Sequence, residues 1–157
     1  MRRLPRLVPQ VSLEREVDRS RRFGQPTALL RVTPEARLSF RGRAHPPNPV
    51  RLATRLGRML RTIDVVWVSG RDVYVVLPGT DRRALDAVIA RVGAEAPELT
   101  AVARIAGACF PEDGLTADAL RSCVRDGGRS DLVGTPRREA PVRAPGSADA
   151  VVGSEHA

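Results

Sequence analysis

Residues 69 to 72, Ser-Gly-Arg-Asp, place a hydroxyl, a guanidinium and a carboxylate together in a stretch, Ile63 to Pro78, that is otherwise mostly apolar. Arg71 and Asp72 there either form a solvated tip or stand where a reacting group once stood. Other residue types with chemistry are scattered. Cys109 and Cys123 are the two cysteines, with no Cys-x-x-Cys and no clustered His, so neither a disulfide framework nor a zinc site is expected. His45, in AHPPNP, has no carboxylate nearby in sequence and reads as an exposed loop residue.

The elements that must position this tip follow from periodicity. Val65 to Val68 and Val73 to Leu77 are β-branched runs, and Gly70 between them tolerates the positive φ that tight hairpin turns need. Trp67 alternates with Val66 and Val68, as a core anchor or an interface residue. Ahead of the hairpin, SLEREVDRSRRF (12 to 23) describes a short amphipathic helix stopped by Gly24, and TALLRVT (27 to 33) a strand ended by Pro34. Residues 35 to 49 are rich in Arg, Gly and Pro and read as irregular. Pro49 then opens a helix with Leu52, Leu56 and Leu60 in one stripe.

After the hairpin, Thr80 is expected to cap a helix whose buried face is Leu85, Val88, Ile89 and Val92. LTAVARIAGACF (99 to 110) reads as a strand, PEDG as a turn, and LTADALRSCVRD as a last helix with Leu120, Val124 and Cys123 on its inner side. This order predicts an α/β sandwich of the ferredoxin-like or polymerase-palm kind, with helices packed on one face of a mainly antiparallel sheet. Residues 1 to 11 are expected to be a flexible start, 12 to 126 the domain, and 127 to 157 a disordered tail of small and polar residues.

Composition bounds the function. Hydrophobic residues make up 42% and aromatics 3%, so Leu, Val and Ala must fill the core and a large aromatic-lined pocket is not expected. The net charge is +8, but all 26 basic residues are Arg and they are interspersed with Asp and Glu. That pattern fits the codon bias of a high-GC genome better than a nucleic-acid face. No secretory signal or membrane-spanning stretch is visible, and a reducing cytoplasm is the expected compartment.

Four segments in order, LEREVDRSRRFGQPTALL, LGRMLRTIDVV, VSGRDVYVVLPGTD and IAGACFPEDGLTADAL, give the chain from about residue 13 to 126 a resemblance to the GGDEF domain, the diguanylate cyclase family of bacterial signalling. The resemblance implies a palm-like fold and puts the tip at 69 to 72 where the family carries Gly-Gly-Asp/Glu-Glu-Phe. There the family's glycines approach the phosphates of GTP, and its third-position carboxylate helps hold two metal ions.

This chain departs from that pattern. From Asp64 to Pro78 it is one residue short, so two registers are open. If Ser69 opens the motif, it reads Ser69-Gly70-Arg71-Asp72-Val73 and Arg71 replaces the metal carboxylate; if Gly70 opens it, Asp72 keeps that role. The first is preferred, because the second places the missing residue inside a strand and would turn its side chains to the opposite faces. The other metal position falls on Thr33, a poor magnesium ligand, with Glu35 as a partial substitute. Arg41 and Gly42 stand where guanine recognition begins in the family.

One family feature survives: Arg61-Thr62-Ile63-Asp64 matches the Arg-x-x-Asp inhibitory site that binds cyclic di-GMP. Its alternative is structural, with Arg61 at a helix end and Asp64 shaping a turn. The expectation is a catalytically inactive domain, not an enzyme, with no cofactor, acting through protein contacts as a regulatory or scaffold module. A protein partner is expected and a homodimer is one form of it. A cyclic di-GMP receptor using Arg61 and Asp64 is the alternative, and a basic nucleic-acid-binding protein is a third.

Overall fold

The computed structural model describes residues 11 to 35 and 46 to 128. Helix α1 (Val11–Phe23) leads into strand β1 (Thr27–Pro34); helix α2 (Pro49–Met59) precedes the hairpin β2 (Val65–Ser69) and β3 (Asp72–Pro78). Helix α3 (Arg82–Glu95), the single turn α4 (Pro97–Thr100), strand β4 (Ala103–Phe110) and helix α5 (Ala117–Arg125) complete it. The four strands form one sheet in the order β2-β3-β1-β4, and every neighbouring pair is antiparallel.

The local chemistry accounts for the helix ends. Pro49 occupies the first turn of α2, where no backbone donor is needed, and the Asn48 side chain accepts from Val50 N–H. Thr116 caps α5 by accepting from Ala119 N–H. The α3 cap differs from expectation: Asp81 accepts from Ala84 N–H, while the Thr80 hydroxyl is buried and turns back to the Pro78 carbonyl. Both are good capping types and adjacent, and the carboxylate has the longer reach.

Helices cover both faces of the sheet rather than one. On one face Leu52 and Leu56 of α2 and Leu85, Ile89 and Val92 of α3 pack on Leu30, Val32, Val73, Val75 and Ile105. On the other, Leu13 and Val17 of α1 and Leu120 and Val124 of α5 pack on Leu29, Trp67, Tyr74, Val76 and Ala108. Strands β1 and β3 are therefore buried on both sides and lack strict polar alternation, as their apolar runs require.

The stretch from residue 99 begins with helical turn, not strand: Pro97 starts α4, Ala101 N–H donates to the Pro97 carbonyl, and extended backbone begins at Ala103. Burial pushes the Cys109 thiol up to about 11, consistent with a packing role, while Cys123 is only partly buried. Among the described residues, no helix is long and apolar enough to cross a membrane. His45, Arg41 and Gly42, the expected flexible start up to residue 10, and the tail beyond Gly128 lie outside the described residues.

Candidate functional site

The hairpin tip is a two-residue turn. Ser69 and Asp72 pair as the strand ends, and Gly70 takes φ +60° at the first turn position, which only glycine adopts without strain. The β2–β3 ladder runs from Val65↔Val76 to Ser69↔Asp72 one residue against one, with no bulge. Val73 is fully buried on the α2/α3 face, and Arg71 is exposed.

Strand registers place the candidate positions in one row. Ser69 lies opposite Asp72, Thr33 lies opposite Arg104, and continuing the β1–β3 register by one residue sets Thr33 opposite Asp72. Side chains at these positions share the α1/α5 face of the sheet. One step inward on that face is Arg31, and it changes the reading of the tip. Its Nη2 donates to Asp72 Oδ2 at 2.8 Å and its Nη1 to the Arg125 carbonyl at 3.4 Å, at the negative end of α5.

Asp72 is thus not part of a solvated tip; its side chain is 18% exposed and that of Arg31 21%. Glu35 does not join this row but pairs with Arg104 at 2.8 Å. Among the described residues, no three His, Cys, Asp or Glu gather where they could share a metal ion.

The second candidate, Arg61 with Asp64, forms a tight loop between α2 and β2. Asp64 Oδ2 accepts from Arg61 N–H at 2.7 Å, and Asp64 N–H donates to the Arg61 carbonyl at 3.1 Å. Burial pushes the Asp64 carboxyl above its usual range, against the opposing pull of the Arg61 N–H and of the Arg61 and Arg91 charges. The Arg61 side chain is exposed, so it is available to a ligand while Asp64 holds its backbone.

Sequence reasoning missed two residues here. Arg91, on α3, donates to the Met59 carbonyl at 3.0 Å and adds a second guanidinium beside Asp64. A separation of 27 residues hides it, because no local pattern joins a helix to a distant loop. Arg31 left a signal: it is the one charge inside the apolar run TALLRVT, and a charge on a buried strand needs a partner.

No protein-family model matches the sequence, and no curated protein matches it significantly. Solved structures do. The GGDEF domain of YfiN (TpbB) from Pseudomonas aeruginosa is 17% identical over 74% of this chain and 81% of that one, with a TM-score of 0.57. A DGC protein from Thermotoga maritima is 13% identical over 75% and 90%, also at 0.57. A sensory box/GGDEF family protein from Caulobacter crescentus is 18% identical over 79% and 92%, at 0.50. With four antiparallel strands packed between helices and the hairpin leading from β2 to β3, the chain has the fold of the GGDEF domain.

Proposed function

We propose that this chain is a GGDEF-fold signalling domain without cyclase activity, which acts on other proteins as a regulatory or scaffold module. The observation that carries this reading is the Arg31–Asp72 ion pair. Asp72 is the carboxylate of the row formed by Ser69, Asp72, Thr33 and Arg104, and it is already bound by a guanidinium. A divalent cation placed there would have to displace Arg31 and then sit beside its positive charge. The remaining donors are neutral hydroxyls, so the set does not suit magnesium, which is usually held through carboxylates and phosphates. Phosphoryl transfer rests on such charge neutralisation.

Incubating the purified protein with GTP and magnesium or manganese should therefore yield no cyclic di-GMP above a protein-free control, by chromatography of the products. Turnover that disappears in Asp72→Ala would refute the reading.

A second reading is favoured by Arg91. Two guanidiniums and the Asp64 carboxylate around one loop fit a ligand with phosphates and guanine edges, since Arg forks bind phosphate oxygens and a carboxylate accepts guanine amino protons. On this reading the domain is a cyclic di-GMP receptor. Calorimetry with cyclic di-GMP should then show micromolar or tighter binding, weakened at least tenfold, about 1.4 kcal/mol, in both Arg61→Ala and Arg91→Ala. Binding that survives both variants, or no heat at high ligand concentration, removes it.

A further inference from the structure

Arginine is common throughout this chain, but α2 carries it differently from the other helices. Its sequence, PVRLATRLGRM, has three Arg and no Asp or Glu, whereas each of the other four described helices includes at least one carboxylate. At 3.6 residues per turn Arg51, Arg55 and Arg58 fall on one line about 10 Å long. All three are exposed, outside the face on which α2 buries Leu52, Ala53 and Leu56. Alongside that line run Val50, which is 56% exposed, Thr54 and Gly57, at the same steps of four and three.

Two residues of this surface work against the helix that carries them. Arg51 lies in the first turn, where the positive end of the helix dipole favours an acid over a cation, and no acid is present there. Gly57 lies in the helix interior, where glycine is less favourable than alanine. Nothing inside the described chain asks for either. The Arg51 and Arg58 side chains have no ion-pair partner among the described residues, and a Cβ on Gly57 would meet nothing within 4 Å. Residues that break a local rule without an internal gain are where a function is expected.

We infer that the exposed face of α2 docks an acidic amphipathic helix of a partner protein. The partner's apolar side lies on Val50, Thr54 and Gly57, and its carboxylates, at i, i+4 and i+7, meet Arg51, Arg55 and Arg58. The inference rests on the reading of this domain as one that acts on other proteins, and it names the kind of protein. Arg55 already shows the preference of the line, since it pairs with Glu98 of α4. That pair is exposed on both sides, so Glu98 yields its place to a partner's carboxylate at little cost.

The surface selects this occupant over other anionic partners. Single-stranded nucleic acid is held by aromatic platforms beside its basic groups, and α2 has no aromatic residue. An anionic bilayer takes up helices that insert several large apolar side chains, and Val50 is the one large hydrophobic that α2 exposes. A second helix matches the spacing of the guanidiniums, and the missing side chain at Gly57 lets its backbone come close. Arg61 and Arg91 lie outside this surface, so cyclic di-GMP binding is a separate question.

The probe is a fluorescein-labelled helical peptide of about 20 residues, with Ala and Leu along one face and Glu at i, i+4 and i+7 beside it. Anisotropy titration with the full chain should give a dissociation constant on the order of 50 μM, weakening at least threefold from roughly 50 to 300 mM salt. Arg51→Glu combined with Arg58→Glu should weaken binding at least tenfold with the circular dichroism unchanged. Gly57→Gln separates docking from folding: it should raise the urea midpoint, because α2 gains propensity, while weakening the peptide at least fivefold. A peptide of the same composition with its Glu positions scrambled should bind at least tenfold more weakly. No binding at roughly 500 μM peptide, binding indifferent to the arginine reversals or to Gly57→Gln, or a scrambled peptide that binds as tightly would overturn the inference. So would tighter binding of oligothymidylate or of phosphatidylglycerol vesicles through the same arginines. GTP turnover beside intact peptide binding would instead refute the cyclase-free reading and leave this surface standing, and no turnover with no peptide binding would do the reverse.

Discussion

Asp113→Ala is expected to destabilise the fold by about 3 kcal/mol, the low end of what breaking a buried ion pair costs. The Asp113 side chain is 2% exposed, in the turn after β4. Its Oδ2 accepts from Cys109 N–H at 2.8 Å and from the Arg82 guanidinium on the first turn of α3. One carboxylate thus ties the end of β4, the turn and α3 together. Removing it leaves a backbone donor and a guanidinium without that acceptor. Arg82 is 23% exposed and keeps Glu112 at 3.7 Å, which is why the loss falls at the low end.

In a domain of this size about 3 kcal/mol corresponds to a fall in Tm of roughly 12 °C. Asp113→Asn separates the two contributions, because the amide oxygen can still accept from Cys109 N–H while Arg82 loses the negative charge of Asp113 and keeps that of Glu112. It should fall between wild type and alanine in chemical denaturation. An alanine variant within about 0.5 kcal/mol of wild type, the scatter of ordinary surface substitutions, would show that the carboxylate does not join these elements.

What the sequence made legible was whatever depends on local pattern. The spacing of Leu85, Ile89 and Val92 defined α3 and its buried face, and Gly70 between two β-branched runs defined the hairpin, because both are set by backbone geometry within a few residues. Thr80 and Asp81 are adjacent capping types, and the better of the two, Asp81, is the one that caps α3. Leu99 and Val102 belong to an apolar run compatible with either helix or strand, and Pro97 decided for a helical turn that the run itself does not announce. At the site the pattern failed in a different way. Asp72 has polar neighbours in sequence that suit a solvated tip, yet its environment is set by Arg31, 41 residues earlier, through the β1–β3 register. The Arg91 contribution to Asp64 depends in the same way on how α3 lies against the loop after α2.

The end of the domain gives the second large effect. Gly128→Val is expected to cost about 3 kcal/mol, at the upper end of what overpacking costs, because two separate penalties act at one position. Its φ is +58°, in the left-handed region where a side chain meets its own backbone, worth about 1 to 2 kcal/mol. An added Cβ would also stand 2.8 Å from the Gly107 carbonyl oxygen and 2.9 Å from its nitrogen. Those atoms belong to β4, whose backbone is held by β1, so they cannot yield as a side-chain tip would.

Gly70→Ala isolates the first penalty, since Gly70 has φ +60° with nothing within 4 Å of an added Cβ, and it should cost only about 1 kcal/mol. The difference between the two variants in urea denaturation measures the packing of the chain after α5 on the sheet. If Gly128→Val and Gly70→Ala cost the same, that segment is not held against β4, and the end of α5 is closed by its own backbone bonds, Asp126 N–H to the Ser122 carbonyl and Gly128 N–H to the Cys123 carbonyl, with Arg31 on the Arg125 carbonyl.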